Sequence, residues 1–300
     1  MMLIDKIKEK CTEHSNSEYL KKINECVVFK VQNVADYLFQ GSDKEVWTFK
    51  DFPNCAPPAP EMWMEWHNHN WTRSEGKIIK LSDITKTWAP ITFAVFIHSQ
   101  ETESMKKLLS LKHIVPDYVK WISTATIYVS VMDKIVSIGG VTWFVDKEGC
   151  ITPIKSSRGD ELLFATNRKM QGQELTDHCE QIKVGMFVPW LAMSFMHCKN
   201  VEVVSNGHAQ KLQASRLKKS KLPLTSFKTL VIEQMKKIIS SSGEDNGGLS
   251  PKALHICRGH FKDFNEKGLF GKYKGRYWWP MHSKGNAVNG VINKDYEVKS

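Results

Sequence analysis

Four prolines stand within eight residues, at positions 53, 57, 58 and 60. Proline fixes φ and lacks a backbone N–H, so this stretch cannot form a regular helix or a central strand. It leads into the run Met62-Trp63-Met64-Glu65-Trp66, which is predicted to be a buried strand. The prolines therefore form a rigid approach to the first strong strand of the chain.

Runs of β-branched and aromatic residues then predict further strands at 91–98, 126–132 and 135–145. Asp133 and Lys134 form a predicted hairpin turn between the last two, and Gly139-Gly140 predicts a bulge. Apolar residues at a spacing of three to four predict helices in residues 1–45 and a buried helix at 186–198, with Pro189 in its first turn. The fold class is therefore α+β, an antiparallel-sheet core with N-terminal helices and a strand-rich basic C-terminal third.

The domain organisation follows from these patterns and from a change in composition near residue 206. We expect a helical N-terminal segment at 1–45, an α+β core at 46–205 and a basic connector at 206–226. A strand-rich segment at 227–300 is expected to pack on the core as part of a single compact domain. Hydrophobic residues make up 41% and charged residues 25% of the chain, which excludes a disordered protein or a coiled coil.

The positive charge is concentrated in the last third of the chain. The net charge is +10, and residues 205–300 hold 18 Lys and Arg against 7 Asp and Glu. Such a region is typical of proteins that bind polyanions, because neutralising phosphates releases condensed counterions. A basic surface without a partner is the alternative. The connector has five cations and no acid, namely Lys211, Arg216, Lys218, Lys219 and Lys221.

The cysteines predict a reducing compartment. There are seven, an odd number, and no CxxC pair occurs, which disfavours a disulfide framework. No apolar run follows the first ten residues, and the longest apolar stretch, 186–196, is shorter than the ~20 residues that a bilayer requires. We therefore expect a soluble cytoplasmic protein with no membrane partner.

A second cluster of chemically able residues lies at 255–262. On a strand, Arg258, His260 and Lys262 share one face, while His255 and Cys257 share the other. Arginine grips two phosphate oxygens, and nearby cations lower the pKa of a histidine toward that of a useful general base. This face is a candidate phosphate site, and an exposed face of solvated charges is the alternative.

A glycine-rich stretch of cations and aromatic rings follows at 268–279. Cations neutralise phosphate and aromatic rings stack on bases, which favours a nucleic-acid interface. A hairpin whose aromatic residues are core is the alternative, above all for Trp278 and Trp279. His282 follows in a predicted loop, from which a second imidazole could reach the same pocket. The interleaved residues are Lys272, Tyr273, Lys274, Arg276, Tyr277, Trp278 and Trp279.

The C-terminal motifs are Arg258-Gly259-His260-Phe261, Leu269-Phe270-Gly271, Tyr277-Trp278-Trp279 and Lys294-Asp295-Tyr296-Glu297-Val298. Together they resemble the ending of a family of uncharacterised proteins found in phages, prophages and bacteria, and the Ala-Pro-Pro stretch is similar to that family's N-terminal part. The resemblance covers about a third of the chain. The family has no established activity, so the resemblance implies no catalytic residues. It implies a mobile-element origin, which favours nucleic-acid transactions or interference with a host.

Two other kinds of site are weighed against this one. Structural zinc is disfavoured, because the adjacent pairs His178-Cys179 and His197-Cys198 point apart on a helix or strand. No cofactor or metal is predicted. Glu65, a possible buried carboxylate, could serve in acid–base catalysis, but a structural ion pair with an arginine is favoured. Neither a nucleophile-elbow nor a dinucleotide-binding motif occurs.

These observations favour a nucleic-acid-binding protein of phage type, with RNA or single-stranded DNA preferred over duplex. A sharper hypothesis is metal-independent cleavage of RNA. In it His260 is the general base, His282 or His255 the acid, and Arg258 with Lys262 stabilises the phosphorane. The alternative is a non-enzymatic protein that binds a host or phage protein, and a small-molecule enzyme built around Glu65 comes third.

Overall fold

The computed structural model describes most of the chain. The described residues are 1–12, 17–41, 47–68, 71–74, 77–80, 91–103, 115–131, 134–152, 162–165, 171–233, 253–257, 259–280, 282–284 and 286–291. Only the backbone is described at 11, 12, 17, 40, 41, 68, 71–74, 77–80, 253–257, 282–284 and 286–291.

The chain divides into two compact units. Unit 1 comprises Met1–Gln40, Lys44–His197 and Val203–Leu230, and unit 2 comprises Gly41–Asp43, Cys198–Glu202 and Val231–Ser300. The expectation that 227–300 packs on the core as one compact domain stays a prediction.

Unit 1 is a mixed α/β unit built on a large sheet. Its helices are α1 (Leu3–Thr12), α2 (Ser17–Glu25), α3 (Gln32–Asp36), α4 (Gly172–Met196) and α5 (Gln210–Lys218). Its strands are β1 (Val27–Lys30), β2 (Glu61–Asn68), β3 (Trp71–Ser74), β4 (Lys77–Lys80), β5 (Ile91–Glu101), β6 (Val119–Val131), β7 (Lys134–Asp146) and β8 (Leu163–Ala165). Most of β9 (Val201–Asn206) and β10 (Phe227–Ile232) also belongs to it. Within the described chain, eight strands form one sheet in the order β8-β7-β6-β5-β2-β1-β10-β9.

The part of this sheet from β8 to β2 is antiparallel, as the sequence predicts. β2, β5, β6, β7 and β8 pair in turn, each antiparallel to the next. The β6–β7 register shifts beside Gly139, where Ile127 faces Gly139 and Tyr128 faces Ser137. The predicted bulge is therefore present, and the positive φ of Gly139, 134°, explains why glycine occupies it.

The prediction that residues 1–45 are helical throughout is wrong at Val27–Lys30. These residues form β1, which pairs in parallel with both β2 and β10. Val27, Val28 and Phe29 are β-branched and aromatic residues that fit a strand between two neighbours. The spacing of Val27 and Val28 from Ile23 resembles a helical stripe, but burial in the sheet decides the structure.

The two faces of the sheet are covered by different helices. Trp63 and Phe96 are direct partners on one face, where they join a core with Leu3 and Ile4 of α1 and Ile23 of α2. On the other face, Trp143 of β7 packs edge-on against Trp190 of α4, with ring centroids 6.0 Å apart. All of these side chains are buried.

The buried helix predicted at 186–198 is present but begins much earlier, at Gly172, as α4. Pro189 therefore lies inside the helix, and its predicted place in the first turn is wrong. The N-terminal turns are polar and exposed, and Gln173 donates to Asp177 at 2.7 Å. The apolar pattern fails to mark the start because these turns face away from the core.

The predicted basic connector contains a helix, α5, that ends in a complete hydrogen-bonded cap. The N–H of Lys221 donates to the carbonyl of Arg216 and that of Ser220 to Leu217, both at 3.0 Å. Ser220 has φ of 54°, the left-handed conformation that this type of cap requires.

Unit 2 is rich in strands, as expected for the C-terminal third. Its strands are β11 (Ala253–Cys257), β12 (His260–Leu269), β13 (Tyr273–Trp279), β14 (His282–Lys284) and β15 (Asn286–Val291). β12 and β13 form an antiparallel hairpin, and β11 lies between β14 and β15 in a small sheet.

Candidate nucleic-acid interface

The β12–β13 hairpin carries most of the aromatic and cationic residues predicted for binding. Its register pairs His260 with Trp279, Lys262 with Tyr277 and Phe264 with Gly275. Directly opposed residues of an antiparallel pair project from the same face. One face therefore carries His260, Lys262, Phe264, Tyr277 and Trp279, which we call the aromatic–lysine face.

Lys262 is the central cation of the aromatic–lysine face. Its Nζ lies 5.1 Å from the ring centroid of Phe264 and 5.4 Å from that of Trp279. Both distances are within the range of cation–π attraction. The Lys262 side chain is exposed, and within the described chain no carboxylate forms an ion pair with it. Its charge therefore remains available to a phosphate.

The rings beside Lys262 form a packed line along β13. Phe264 packs against Tyr277 with centroids 5.8 Å apart, and Tyr277 packs edge-on against Tyr273 at 6.3 Å. Tyr277 is only 7% exposed. Its burial, and to a lesser extent the nearby Tyr273, raises the pKa of its hydroxyl. Tyr273, Phe264 and Trp279 are half-buried.

The opposite face of the hairpin carries an aromatic pair and an ion pair. Phe261 packs on the buried Trp278 with centroids 4.7 Å apart. Beside them, Asp263 accepts from Arg276 in a fork, at 2.8 Å from Nε and 3.1 Å from Nη2. The carboxylate of Asp263 neutralises Arg276, which makes this predicted nucleic-acid contact the weakest of the hairpin.

Asn200 anchors the hairpin. Its Oδ1 accepts from the N–H of Trp278 at 2.9 Å, and its Nδ2 donates to the carbonyls of Trp278 and Glu233 at 2.8 and 2.9 Å. Beside it, the N–H of Lys199 donates to the carbonyl of Arg276 at 2.8 Å. The side-chain amide of Asn200 thus completes the backbone hydrogen bonding of β13 at a buried position. This contact determines which face of the hairpin is buried.

The cations near the tip differ in their surroundings. Lys274 forms an exposed ion pair with Glu266 at 3.2 Å, an interaction that contributes little in water. Lys272 lies in the turn and is exposed. Both remain candidate phosphate contacts.

The three predicted catalytic histidines lie on different strands of unit 2. His260 begins β12, shares a face with Lys262 as predicted and is exposed. Arg258 lies outside the described residues. His255 in β11 and His282 in β14 are described by backbone alone, and the register pairs His255 with Lys284 and Cys257 with His282. His282 therefore stands in a strand, and its predicted place in a loop is wrong.

The connector cations lie in unit 1, on and after α5. Lys211, Lys218, Lys219 and Lys221 are exposed, and no described acid forms an ion pair with any of them. Arg216 differs, because its Nη2 lies 2.9 Å from Glu9 and its Nε donates to the carbonyl of Leu222 at 2.8 Å. The exposed cations at the end of α5, Lys218, Lys219 and Lys221, are called the lysine turn below.

Glu65 has a structural environment. It is 4% exposed, and its oxygens accept from the N–H of Leu3 at 2.9 Å and from Nε1 of Trp63 at 3.2 Å. The favoured arginine partner is not among its described contacts, since the N–H of Leu3 at the start of α1 and the indole of Trp63 on β2 take that place. Burial raises the pKa of the carboxyl, against these hydrogen bonds.

The described pair of His98 and Glu61 offers no free base. His98 Nδ1 lies 2.6 Å from Glu61 Oε1, and His98 Nε2 lies 2.7 Å from the side-chain nitrogen of Gln100. Both imidazole nitrogens are therefore engaged. This arrangement gives no support to a small-molecule enzyme in unit 1.

The described residues give little support to a metal site. No group of three or more His, Cys, Asp and Glu side chains converges there on a metal position. In the pair His197-Cys198, the imidazole of His197 is hydrogen-bonded to the carbonyl of Ala56. Burial raises the pKa of the Cys198 thiol to about 12.

Comparisons with family models, with curated proteins and with solved structures give no significant match. The likeness to phage-associated proteins therefore stays an expectation from the C-terminal motifs. The helices of the described chain are too short or too polar to cross a bilayer.

Three residues that shape this site are not evident from the sequence pattern. Asn200 gives no local signal, because one polar residue in a strand boundary is ordinary. Asp263 lies opposite Arg276 because the β12–β13 register shifts between Phe264 and Leu269, and the sequence pattern does not reveal that shift. Phe270 at that centre stands out in the sequence only as part of a motif.

Proposed function

We propose that this protein binds single-stranded nucleic acid, RNA or single-stranded DNA, through the aromatic–lysine face. The observation that carries the proposal is the exposed ammonium of Lys262 between the rings of Phe264 and Trp279. A cation held beside partly exposed rings matches the two parts of a nucleotide, a phosphate and a base. The rings favour a single strand, because a duplex hides the π-faces of its bases.

The distribution of charge supports the same function. Residues 259–280 hold five Lys and Arg against two acids, and the lysine turn adds exposed cations in unit 1. Phosphate neutralisation by such groups makes affinity fall linearly with the logarithm of salt concentration. We treat the two groups as separate contributors.

The test is fluorescence anisotropy with labelled 20-nucleotide oligo(rU) and oligo(dT) over a salt series. We expect binding at low salt, with a slope that falls by about 0.7 for each phosphate that a variant no longer neutralises. Lys262→Glu should weaken binding strongly, whereas Lys147→Glu makes the same charge change in an exposed turn of unit 1 and should weaken it little. Absence of binding by the wild type at low salt would refute the proposal.

Cleavage of RNA is a second candidate, supported by the register of the small sheet. His255 opposite Lys284 and His282 opposite Cys257 bring two histidine positions within two residues of each other along β11 and β14. With EDTA present, the purified protein should cut RNA, and His260→Ala should abolish cutting even at oligonucleotide concentrations that saturate the variant. Equal cutting by His260→Ala would remove His260 as the base.

A protein-binding role is the alternative, and exposed leucines favour it. Leu212, Leu217 and Leu222 are 46%, 61% and 40% exposed, on and just after α5. A docking surface for a host or phage protein would use these side chains with the lysines. Leu217→Ser should then disrupt a specific complex without changing the affinity for oligonucleotides, which separates the two functions.

A further inference from the structure

The tip of the β12–β13 hairpin is a tight turn with an unsuitable residue in it. The N–H of Lys272 donates to the carbonyl of Leu269 at 3.1 Å, and the two residues between them have positive φ, 54° at Phe270 and 73° at Gly271. This is the pattern of a type I′ turn, in which Asn, Asp or Gly is preferred at both central positions. Gly271 fits, whereas the Cβ of Phe270 makes its conformation strained.

Phe270 is also exposed to solvent. It is 55% exposed, and no other aromatic side chain in the described chain is more exposed. A large apolar ring in water and a strained backbone both oppose folding, so this residue is poorly explained by stability. Strain of this kind concentrates at functional positions, and here it holds a ring outward from the end of the hairpin.

Three cations lie close to Phe270 in the sequence. Lys267, Lys272 and Lys274 lie within four residues of Phe270 in the sequence and all three are exposed. Glu266, four residues before Phe270, is paired with Lys274. A ligand reaching the tip therefore meets a flat apolar ring bordered by positive charge.

We propose that Phe270 is a base-stacking residue, whose ring packs on an unpaired base while the neighbouring lysines contact the flanking phosphates. This inference rests on the proposed function and identifies the element that engages the base. An anionic lipid surface would also attract the lysines. Insertion into lipid scales with the apolar area buried, and a single ring buries little, whereas one ring is sufficient to stack on one base.

The decisive variant is Phe270→Asn, because Asn-Gly is a favoured pair in a type I′ turn. The substitution removes the ring and relieves the strain, so the thermal midpoint should stay the same or rise. Affinity for a single-stranded oligonucleotide containing 2-aminopurine should fall about 5- to 150-fold. The change in 2-aminopurine fluorescence on binding should disappear, while Phe270→Trp retains both.

Polyphosphate, which has charge but no bases, is the matched probe. Wild type and Phe270→Asn should bind it equally, since the lysines are unchanged. If the wild type binds oligonucleotides and Phe270→Asn binds them equally well with the same fluorescence change, the stacking role is wrong and the proposed function stands. If the wild type binds no oligonucleotide, the proposed function fails, and the stacking role fails with it. Binding to phosphatidylserine vesicles that Phe270→Asn abolishes, without oligonucleotide binding, would assign the tip to lipid and overturn both.

Discussion

The carboxylate of Glu65 holds the first turn of α1 through the backbone N–H of Leu3, which lies 2.9 Å from both carboxylate oxygens. A buried negative charge at this position meets the positive end of the helix dipole and satisfies an amide that the helix itself cannot satisfy. The same carboxylate accepts from Trp63, which packs in the core with Leu3 and Ile4. One side chain thus joins the N-terminal helix to the sheet.

Removing the acceptor should therefore destabilise unit 1. Glu65→Ala leaves the N–H of Leu3 and the indole N–H of Trp63 buried without a partner, and each such loss costs about 1–3 kcal/mol. We expect a decrease of about 2–4 kcal/mol in the free energy of unfolding, measured by urea denaturation. Glu65→Gln retains one oxygen and should cost less. Equal, near-zero effects of both substitutions would contradict a structural role.

The pH dependence of stability should carry the signature of Glu65. Burial raises the pKa of this carboxyl in the folded state, so the folded protein binds the proton more tightly than the unfolded chain does. Stability linked to this group is therefore greatest at low pH and decreases as pH rises from about 4.3, the unfolded value, through the higher folded value. Glu65→Gln should lack that decrease. Urea titrations of both proteins between about pH 4 and 7 measure the difference, and a wild-type curve that rises relative to the variant would contradict it.

Local patterns predicted the strands well, and long-range pairing explains what they missed. Alternation and β-branching located β2, β5, β6 and β7, and Gly139-Gly140 located the bulge, because each of these signals lies within one element. β1 differs, since Val27–Lys30 becomes a strand by pairing with β2 and with β10, which lies far along the chain at Phe227–Ile232. No local pattern encodes such a pairing.

The candidate site shows the same division. The period of two placed His260 and Lys262 on one face, and the structure bears this out. The identity of the rings beside Lys262, and the pairing of Arg276 with Asp263, depend on the β12–β13 register, which shifts between Phe264 and Leu269. The roles of the predicted site residues stay predictions.

Asn200 should be the residue on which the hairpin depends most. It is 3% exposed and makes three hydrogen bonds to backbone groups of Trp278 and Glu233. Asn200→Ala strands the buried N–H of Trp278, so unit 2 should lose about 2–4 kcal/mol, with faster exchange of that amide proton measured by NMR. Asn206→Ala, which removes bonds to Val204 and Thr229 at a half-buried position of unit 1, is the control and should leave the Trp278 amide protected. Unchanged exchange in Asn200→Ala would contradict the anchoring role.

Ser220 should be replaceable by glycine with a gain in stability. Its φ of 54° in the cap of α5 is costly for a residue with a Cβ and free for glycine. Because glycine also has more entropy in the unfolded chain, the net gain in Ser220→Gly should be about 0.5–1 kcal/mol, seen as a higher thermal midpoint. Ser205→Gly makes the same change in strand β9, where it should instead lower the midpoint. A lower midpoint in Ser220→Gly would show that the cap does not require the left-handed conformation.

The lysine turn should contribute charge to binding without contributing to the fold. Lys218 and Lys219 are exposed, and the double substitution Lys218→Glu with Lys219→Glu should lower oligonucleotide affinity and flatten its dependence on salt. Lys218→Ala with Lys219→Ala should reduce the salt slope by about 0.7 for each phosphate that is no longer neutralised.

Arg216→Ala is the matched control, because the Arg216 side chain is engaged by Glu9 and Leu222. It should lower stability and leave the slope unchanged. If both double substitutions leave affinity and the salt slope unchanged while Lys262→Glu lowers them, the lysine turn does not contribute to binding and the interface is confined to the hairpin.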